Sequence, residues 1–184
     1  RGELVGINTA ISSRTGSFVG YSFAVPSNIA KKIVDDILEY GAVQEAILVI
    51  SVDMSYDDEG VKIAEVTNEK NKNASSLKEG DFILKINNVK ISKFSDLKGQ
   101  LTAKRPGDYV NVTINRDGDI LTQKVQLNKK DTYISRSLGV YLKDLSDKEK
   151  NKLDLKGGAK ILQNFNKSLE YYGVEEGYII TKIN

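Results

Sequence analysis

Cysteine and histidine are both absent from this 184-residue chain. Without cysteine there can be no disulfide, no thiolate nucleophile and no cysteine-ligated zinc. Without histidine, the chain alone cannot assemble a Ser-His-Asp triad. No apolar stretch approaches the roughly 18 residues of a bilayer-spanning helix, and no segment has the form of a signal peptide. No basic run stands out: 27 Lys+Arg against 25 Asp+Glu leave a formal charge of +2, too balanced for a nucleic-acid binder. The remainder, 40% hydrophobic and 28% charged, is the composition of an ordinary globular protein with room for one large domain or two small ones.

The first segments are apolar on both faces. "ELVGINTAI" (3–11) and "FVGYSFAVP" (18–26) read as strands joined by the turn cluster "SSRTGS", and a lone two-stranded hairpin is marginal in water. They call for a sheet that the following residues do not offer. A helix is expected next, in "PSNIAKKIVDDILEYG", with Ser27 or Asn28 as N-cap and Gly41 at the left-handed C′ position. Its spacing puts Ile29, Ile33, Val34 and Ile37 on one face, away from Lys31, Lys32, Asp35 and Asp36.

From about Val43 short strands alternate with glycine-marked turns. "AILVISVDM" and "VKIAEV" read as strands, and "LKEGDFILKINNVKI" as two more around Asn87-Asn88. "SKFSDLKGQLTAK" reads as a helix with Phe94, Leu97 and Leu101 on one face. "YVNVTINRDG" and "ILTQKVQL" form a hairpin at Asp117-Gly118. Together these make one α+β unit of about 85 residues, near the lower limit for an independent core. The unit then begins again. "LKEGDFILKIN" (77–87) aligns without a gap to "VEEGYIITKIN" (174–184), and "ILVISVDMS" is echoed by "SLGVYLKDLS". The second copy carries an extra "DKEKNKLDLKGG", a short helix ending in glycines. A repeat that stops mid-unit is the pattern of a chain cut at both ends.

This order of segments resembles the HtrA/Deg family, envelope serine proteases of the trypsin-like fold that carry PDZ domains. "GINTAI" with "GYSFAVPSN" is the most specific element, and "EGDFILKINNVKI", "RPGDYVNVTINRDG" and "SLGVYLKDLS…GYIITKIN" are similar to the PDZ portions. The resemblance implies a mainly β fold with α. Residues 1–27 would be the last strands of a trypsin-like β-barrel, 28–44 a linker helix, 45–130 a complete PDZ domain, and 131–184 the first half of a second. The family's Gly-Asn-Ser-Gly-Gly nucleophile stretch, its histidine and its aspartate are not in these residues, so no catalytic residue is expected in this chain. Two function classes follow. One is the peptide-binding part of a serine endopeptidase and chaperone that captures misfolded envelope proteins, and the other is a non-catalytic PDZ binding or scaffold module. Expected partners are unfolded polypeptides or protein C-termini, and further copies in a trimer-based homo-oligomer. No nucleic acid, metal or cofactor is expected, and the compartment implied is the periplasm.

A PDZ domain adds an extended peptide to a sheet edge and holds a terminal carboxylate on backbone N–H groups of an apolar–Gly–apolar loop. The resemblance maps that loop onto Leu138-Gly139-Val140 in the second copy and Leu48-Val49-Ile50 in the first, with Leu101 as groove wall. Valine in glycine's place disfavours positive φ, and Glu45 nearby would repel a carboxylate. The first copy is therefore expected to bind C-terminal carboxylates poorly, or to take internal segments. Leu48, Val49, Ile50 and Leu101 have an equally direct reading as core residues. Asp57, Asp58 and Glu59 read as a solvated turn rather than a metal site. "LKGGAK" lacks the spacing of a phosphate loop, and no serine–lysine pair stands out as a dyad.

Overall fold

The structure, a computed structural model, describes residues 2–12, 21–67 and 77–183. They form two compact units, residues 1–130 and 131–184. The architecture is mixed α and β, built on several antiparallel sheets.

In the first unit, β1 (Gly6–Ser12) pairs with β2 (Tyr21–Pro26), and α1 (Ser27–Tyr40) follows. Leu4, Val5 and Phe23 of this hairpin are exposed. The helix ends at Gly41 in the left-handed conformation, φ 73°, its N–H donating to Ile37 O, as the sequence led us to expect. Its start differs. Pro26 stands at the N-cap and no side chain caps the helix, because the Ser27 N–H donates to Val5 O and continues the hairpin ladder. The buried face differs too. Val34 and Ile37 are about half exposed, whereas Lys32 and Asp36 are covered. Asp36 accepts from Lys32 Nζ at 2.8 Å, Arg105 Nε at 2.8 Å and Gln44 N–H at 2.9 Å. Three donors converging on one carboxylate outweigh the amphipathic pattern in fixing which side turns inward. Burial by itself would raise the Asp36 carboxyl, but these hydrogen bonds hold it below the usual carboxylate range.

Residues 46–129 hold the main core. β3 (Ala46–Ile47) pairs with β10 (Asn128–Lys129). A larger sheet runs β4 (Ile50–Val52), β5 (Val61–Val66), β6 (Phe82–Ile86), β8 (Tyr109–Arg116), β9 (Asp119–Gln126), with β7 (Val89–Lys90) beside β6. β8 alternates: Val110, Val112 and Ile114 are buried, Tyr109 and Asn111 exposed. They meet Ile63, Ile83, Ile86 and Ile91, together with Leu97 and Leu101 of α2 (Phe94–Thr102), in one apolar cluster. Burying each such side chain is worth about 1.5–3 kcal/mol. Both expected turns form, with positive φ at Asn87 (53°), Asp117 (53°) and Gly118 (98°), the signature of a type I′ hairpin at the second. Asp81 is a second buried acid, within this segment. It accepts a two-pronged bond from Arg116 at 2.7 and 2.8 Å and a third from Lys78 N–H at 2.8 Å. Desolvation would raise its carboxyl, but the Arg116 fork and the Lys78 amide hold it low.

The second unit has one sheet, ordered β11 (Thr132–Ser135), β12 (Val140–Asp144), β13 (Ala159–Asn164), β14 (Ile179–Ile180). Its internal geometry repeats the first. Ile50↔Val66, Ser51↔Glu65 and Val52↔Ile63 recur as Val140↔Asn164, Tyr141↔Gln163 and Leu142↔Ile161, each ladder with its irregularity at the same step. Gly80 N–H to Ile63 O at 2.9 Å recurs as Gly177 N–H to Ile161 O at 2.8 Å. One partner differs: β12 has β11 on its outer edge.

Helix α3 (Asp147–Leu153) stops at Asp154, φ 52°, rather than at the glycines, since an aspartate tolerates the left-handed region. Ser146 caps it and Glu149 returns the bond, Ser146 N–H and Oγ–H donating to Glu149 Oε2 at 3.0 and 2.7 Å. Those donors, with Lys160 nearby, hold the Glu149 carboxyl down to about 2. A carboxylate held low by folding contributes stability above its ordinary pKa and loses it as pH falls toward the folded value. We expect α3 amides to lose hydrogen-exchange protection between about pH 4.5 and pH 2, with the Glu149 titration followed by NMR. An ordinary midpoint for Glu149 would contradict the capping box. The helix α4 (Lys167–Tyr171), capped by Asn166 Oδ1, has no counterpart in the sequence reading.

Candidate peptide-binding site

The candidate site begins at β4. Thr67 N–H donates to Val49 O at 3.0 Å, which makes Ile50 and Val66 a non-hydrogen-bonded pair. The Ile50 N–H and C=O therefore point away from β5. Among the described residues no other strand pairs with β4, so that edge is open. An open edge is a template for an added strand.

The loop after β4 is tightly built. Asp53 Oδ1 accepts from Ser55 N–H at 3.0 Å and Ser55 Oγ–H at 2.5 Å, and Asp53 Oδ2 meets Lys62 Nζ at 3.3 Å. The Ser55 hydroxyl, then its amide, then Lys62 hold the Asp53 carboxyl low. Tyr56 packs its ring on Phe82, centroids 5.1 Å apart. Gly60 has φ 103°, its N–H donates to Ser92 O at 3.0 Å, and a Cβ there would sit 3.0 Å from Ile83 O. Only glycine lets the loop lie this close to β6 and the entry to α2. Between the loop and that entry lies a cavity of ≈ 500 Å³, whose walls include Val52, Met54, Tyr56 and Phe94. The acids Asp53, Asp57, Asp58 and Glu59 also line it, against Lys62 and Lys93.

The residues singled out from the sequence fall in different places. Leu48 (5% exposed) and Leu101 (8%) are both in the main core. Val49 and Ile50 are half-buried, Ile50 with its backbone on the open edge and its side chain against the core. Glu45 is ion-paired to Lys130 at 2.7 Å, so part of its charge is already met. Leu138, Gly139 and Val140 belong to the other unit. Gly139 has φ 63° and Val140 is buried, while Leu138 O accepts from Asn166 Nδ2 and Leu138 N–H donates to Ser135 Oγ. Phe94, which helical spacing puts on one face with Leu97 and Leu101, is 43% exposed and lines the cavity, whereas Leu97 and Leu101 are in the core. Met54 is 75% exposed, and no periodicity marked it. A lone methionine ahead of the "YDDEG" turn was the only available signal. No group of acids in metal-holding geometry occurs among the described residues.

A family model described as PDZ domain matches residues 47–127. The chain aligns over its whole length with a "probable periplasmic serine endoprotease DegP-like" of Pseudomonas fulva, 30% identical over 208 residues and 43% of that relative's length. It is 34% identical over 141 residues to a "probable periplasmic serine protease do/HhoA-like" of Haemophilus influenzae, covering 71% of this chain and 30% of the relative. Among solved structures, the serine endoprotease from Yersinia pestis is 28% identical, covering 71% of this chain and 44% of that one, with a TM-score of 0.46. The chain thus spans less than half the length of these relatives. It is a homologue of the HtrA/Deg serine proteases that carries a PDZ domain and matches only part of the full-length DegP-like proteins.

Proposed function

We propose that this chain is a non-catalytic peptide-holding module, which takes an extended polypeptide segment onto the open edge of β4. The observation that carries the reading is that edge, with Ile50 N–H and C=O directed outward beside α2 and the cavity. Backbone hydrogen bonds would supply affinity and the cavity would supply selectivity. In the second unit β11 already occupies the matching edge, so strand addition falls to the first. Val49 in the loop position keeps the preference toward internal segments over terminal carboxylates, and Leu138-Gly139-Val140 is the better candidate for a carboxylate loop once its edge is free.

In the larger reading the module belongs to an HtrA-like protease or chaperone of the cell envelope that captures misfolded proteins and works as a trimer-based oligomer. Residues 1–27 would complete its barrel, 28–44 would link, 45–130 would be the first PDZ domain and 131–184 half of a second. Exposed Leu4, Val5 and Phe23 support a covering sheet for the hairpin, and the recurring ladder supports the second PDZ half.

The test is Ile50→Pro in the full chain. Proline at an outward-facing edge position removes the docking N–H while leaving the ladder to β5. A doubly blocked, β-forming decapeptide should bind the parent chain, and the variant should lose at least about tenfold in affinity, roughly one backbone hydrogen bond's worth. Circular dichroism and protection of the Ile83 amide would report the fold. Unchanged affinity in a folded variant would refute docking at β4.

A further inference from the structure

The cavity at the end of β4 has a composition that discriminates among peptides, and this inference rests on the reading of β4 as the docking edge. A strand laid along β4 advances about 3.3 Å per residue with side chains alternating in direction. A peptide residue passing Val52 therefore arrives at the cavity mouth. There it meets Val52, Met54 and Phe94, of which Met54 and Phe94 are well exposed. Flexible methionine beside an aromatic ring accommodates apolar side chains of varied shape.

The charges at the mouth are not all committed. Asp53 is paired with Lys62, and Glu59 with Lys90. Asp57 and Asp58 are exposed and have no ion pair or hydrogen bond among the described residues. Among the described residues Lys93 is the one lining cation besides Lys62. Two free carboxylates against one cation leave the mouth acidic. The loop is fixed by the Tyr56–Phe82 ring contact and by the Gly60–Ser92 hydrogen bond, so the acids are presented on a formed surface and need little ordering when a ligand arrives.

We infer that the cleft selects internal polypeptide segments in which an apolar residue is adjacent to a lysine or arginine. The apolar side chain enters against Met54 and Phe94, and the cation sits over Asp57 and Asp58. An acidic residue in the same place is rejected by like charge.

The experiment uses the full chain and three decapeptides blocked at both ends, identical except for Lys, Gln or Glu beside a central leucine. Affinities are measured at about 50 mM and 500 mM salt, a range over which surface charge contacts are screened. At low salt the Lys peptide should bind about tenfold tighter than the Glu peptide, with Gln between, and the spread should shrink at high salt. In the double variant Asp57→Asn, Asp58→Asn the Lys preference should be lost, the Lys peptide binding no tighter than the Glu peptide. Equal Lys and Glu affinities on the parent chain, with Gln binding intact, would overturn the charge selection and leave strand addition standing. A Lys preference that survives in the double variant would overturn the assignment to Asp57 and Asp58. If none of the three peptides binds, both this inference and the docking reading fall.

Discussion

Asp81→Ala is expected to lower the stability of the first unit by about 3 kcal/mol, the lower end of the range for breaking a buried ion pair by removing one partner. The side chain of Asp81 is 1% exposed and that of Arg116 21%, so the guanidinium keeps some water and the cost does not reach the top of the range. The loss has two parts. Arg116 is deprived of its two-pronged acceptor, and the Lys78 N–H loses its acceptor in the turn leading into β6. For a unit of this size, at about 4 °C per kcal/mol, the change corresponds to roughly 12 °C in Tm. Asp81→Asn should lie between, because an amide oxygen can still accept from Lys78 N–H while the charge is gone. Urea unfolding of the three chains checks this, and equal midpoints for alanine and the parent would show that the carboxylate contributes nothing net. The pH dependence has a definite sign. Both Asp81 and Asp36 are held below the usual carboxylate range, so their contribution is present above about pH 4 and declines as acid titrates the folded protein.

Asp36→Ala should cost somewhat less, about 2–3 kcal/mol, because Arg105 is 37% exposed and the cluster lies just beneath the surface. Its effect should also differ in kind. The acid joins α1 to Gln44 and to Arg105, whereas the six-stranded sheet keeps its own core. Its loss should free α1 locally, raising hydrogen exchange in 29–40 while Ile83 and Ile114 amides keep their protection. Lys32→Ala would be milder, since Arg105 and the Gln44 amide remain. Uniform loss of protection through both regions would mean that α1 and the sheet unfold as one body.

These two acids also mark what the sequence displays and what it hides. The turn pairs Asn87-Asn88 and Asp117-Gly118, the glycine stop at Gly41 and the strand alternation of β8 are local signals, each written in a few adjacent residues. The repeat between 77–87 and 174–184 was visible as identity, and its backbone hydrogen bonds recur in place. Asp36 bonds a residue 69 positions away, and nothing in its own neighbourhood announces that partner. Hydrophobic periodicity consequently assigned the inward face of α1 to isoleucines that stay partly exposed. The surroundings of Phe94 were hidden for a related reason: helical spacing gives a direction, but whether protein or an open cleft lies there depends on the distant 53–60 loop. The edge of β4 could be anticipated from the family likeness, whereas its acidic mouth required the loop's folded shape.

The pairing of β11 with β12 is also a matter of concentration. The two strands are joined by the turn of residues 136–139, so β11 meets its partner at an effective concentration in the millimolar range. A free peptide of micromolar concentration cannot compete with a tethered strand at those odds, even with equal contacts. Anything that draws β11 away would lift that handicap at once. Access to the second edge would then follow the position of Thr132–Ser135 rather than the abundance of any ligand.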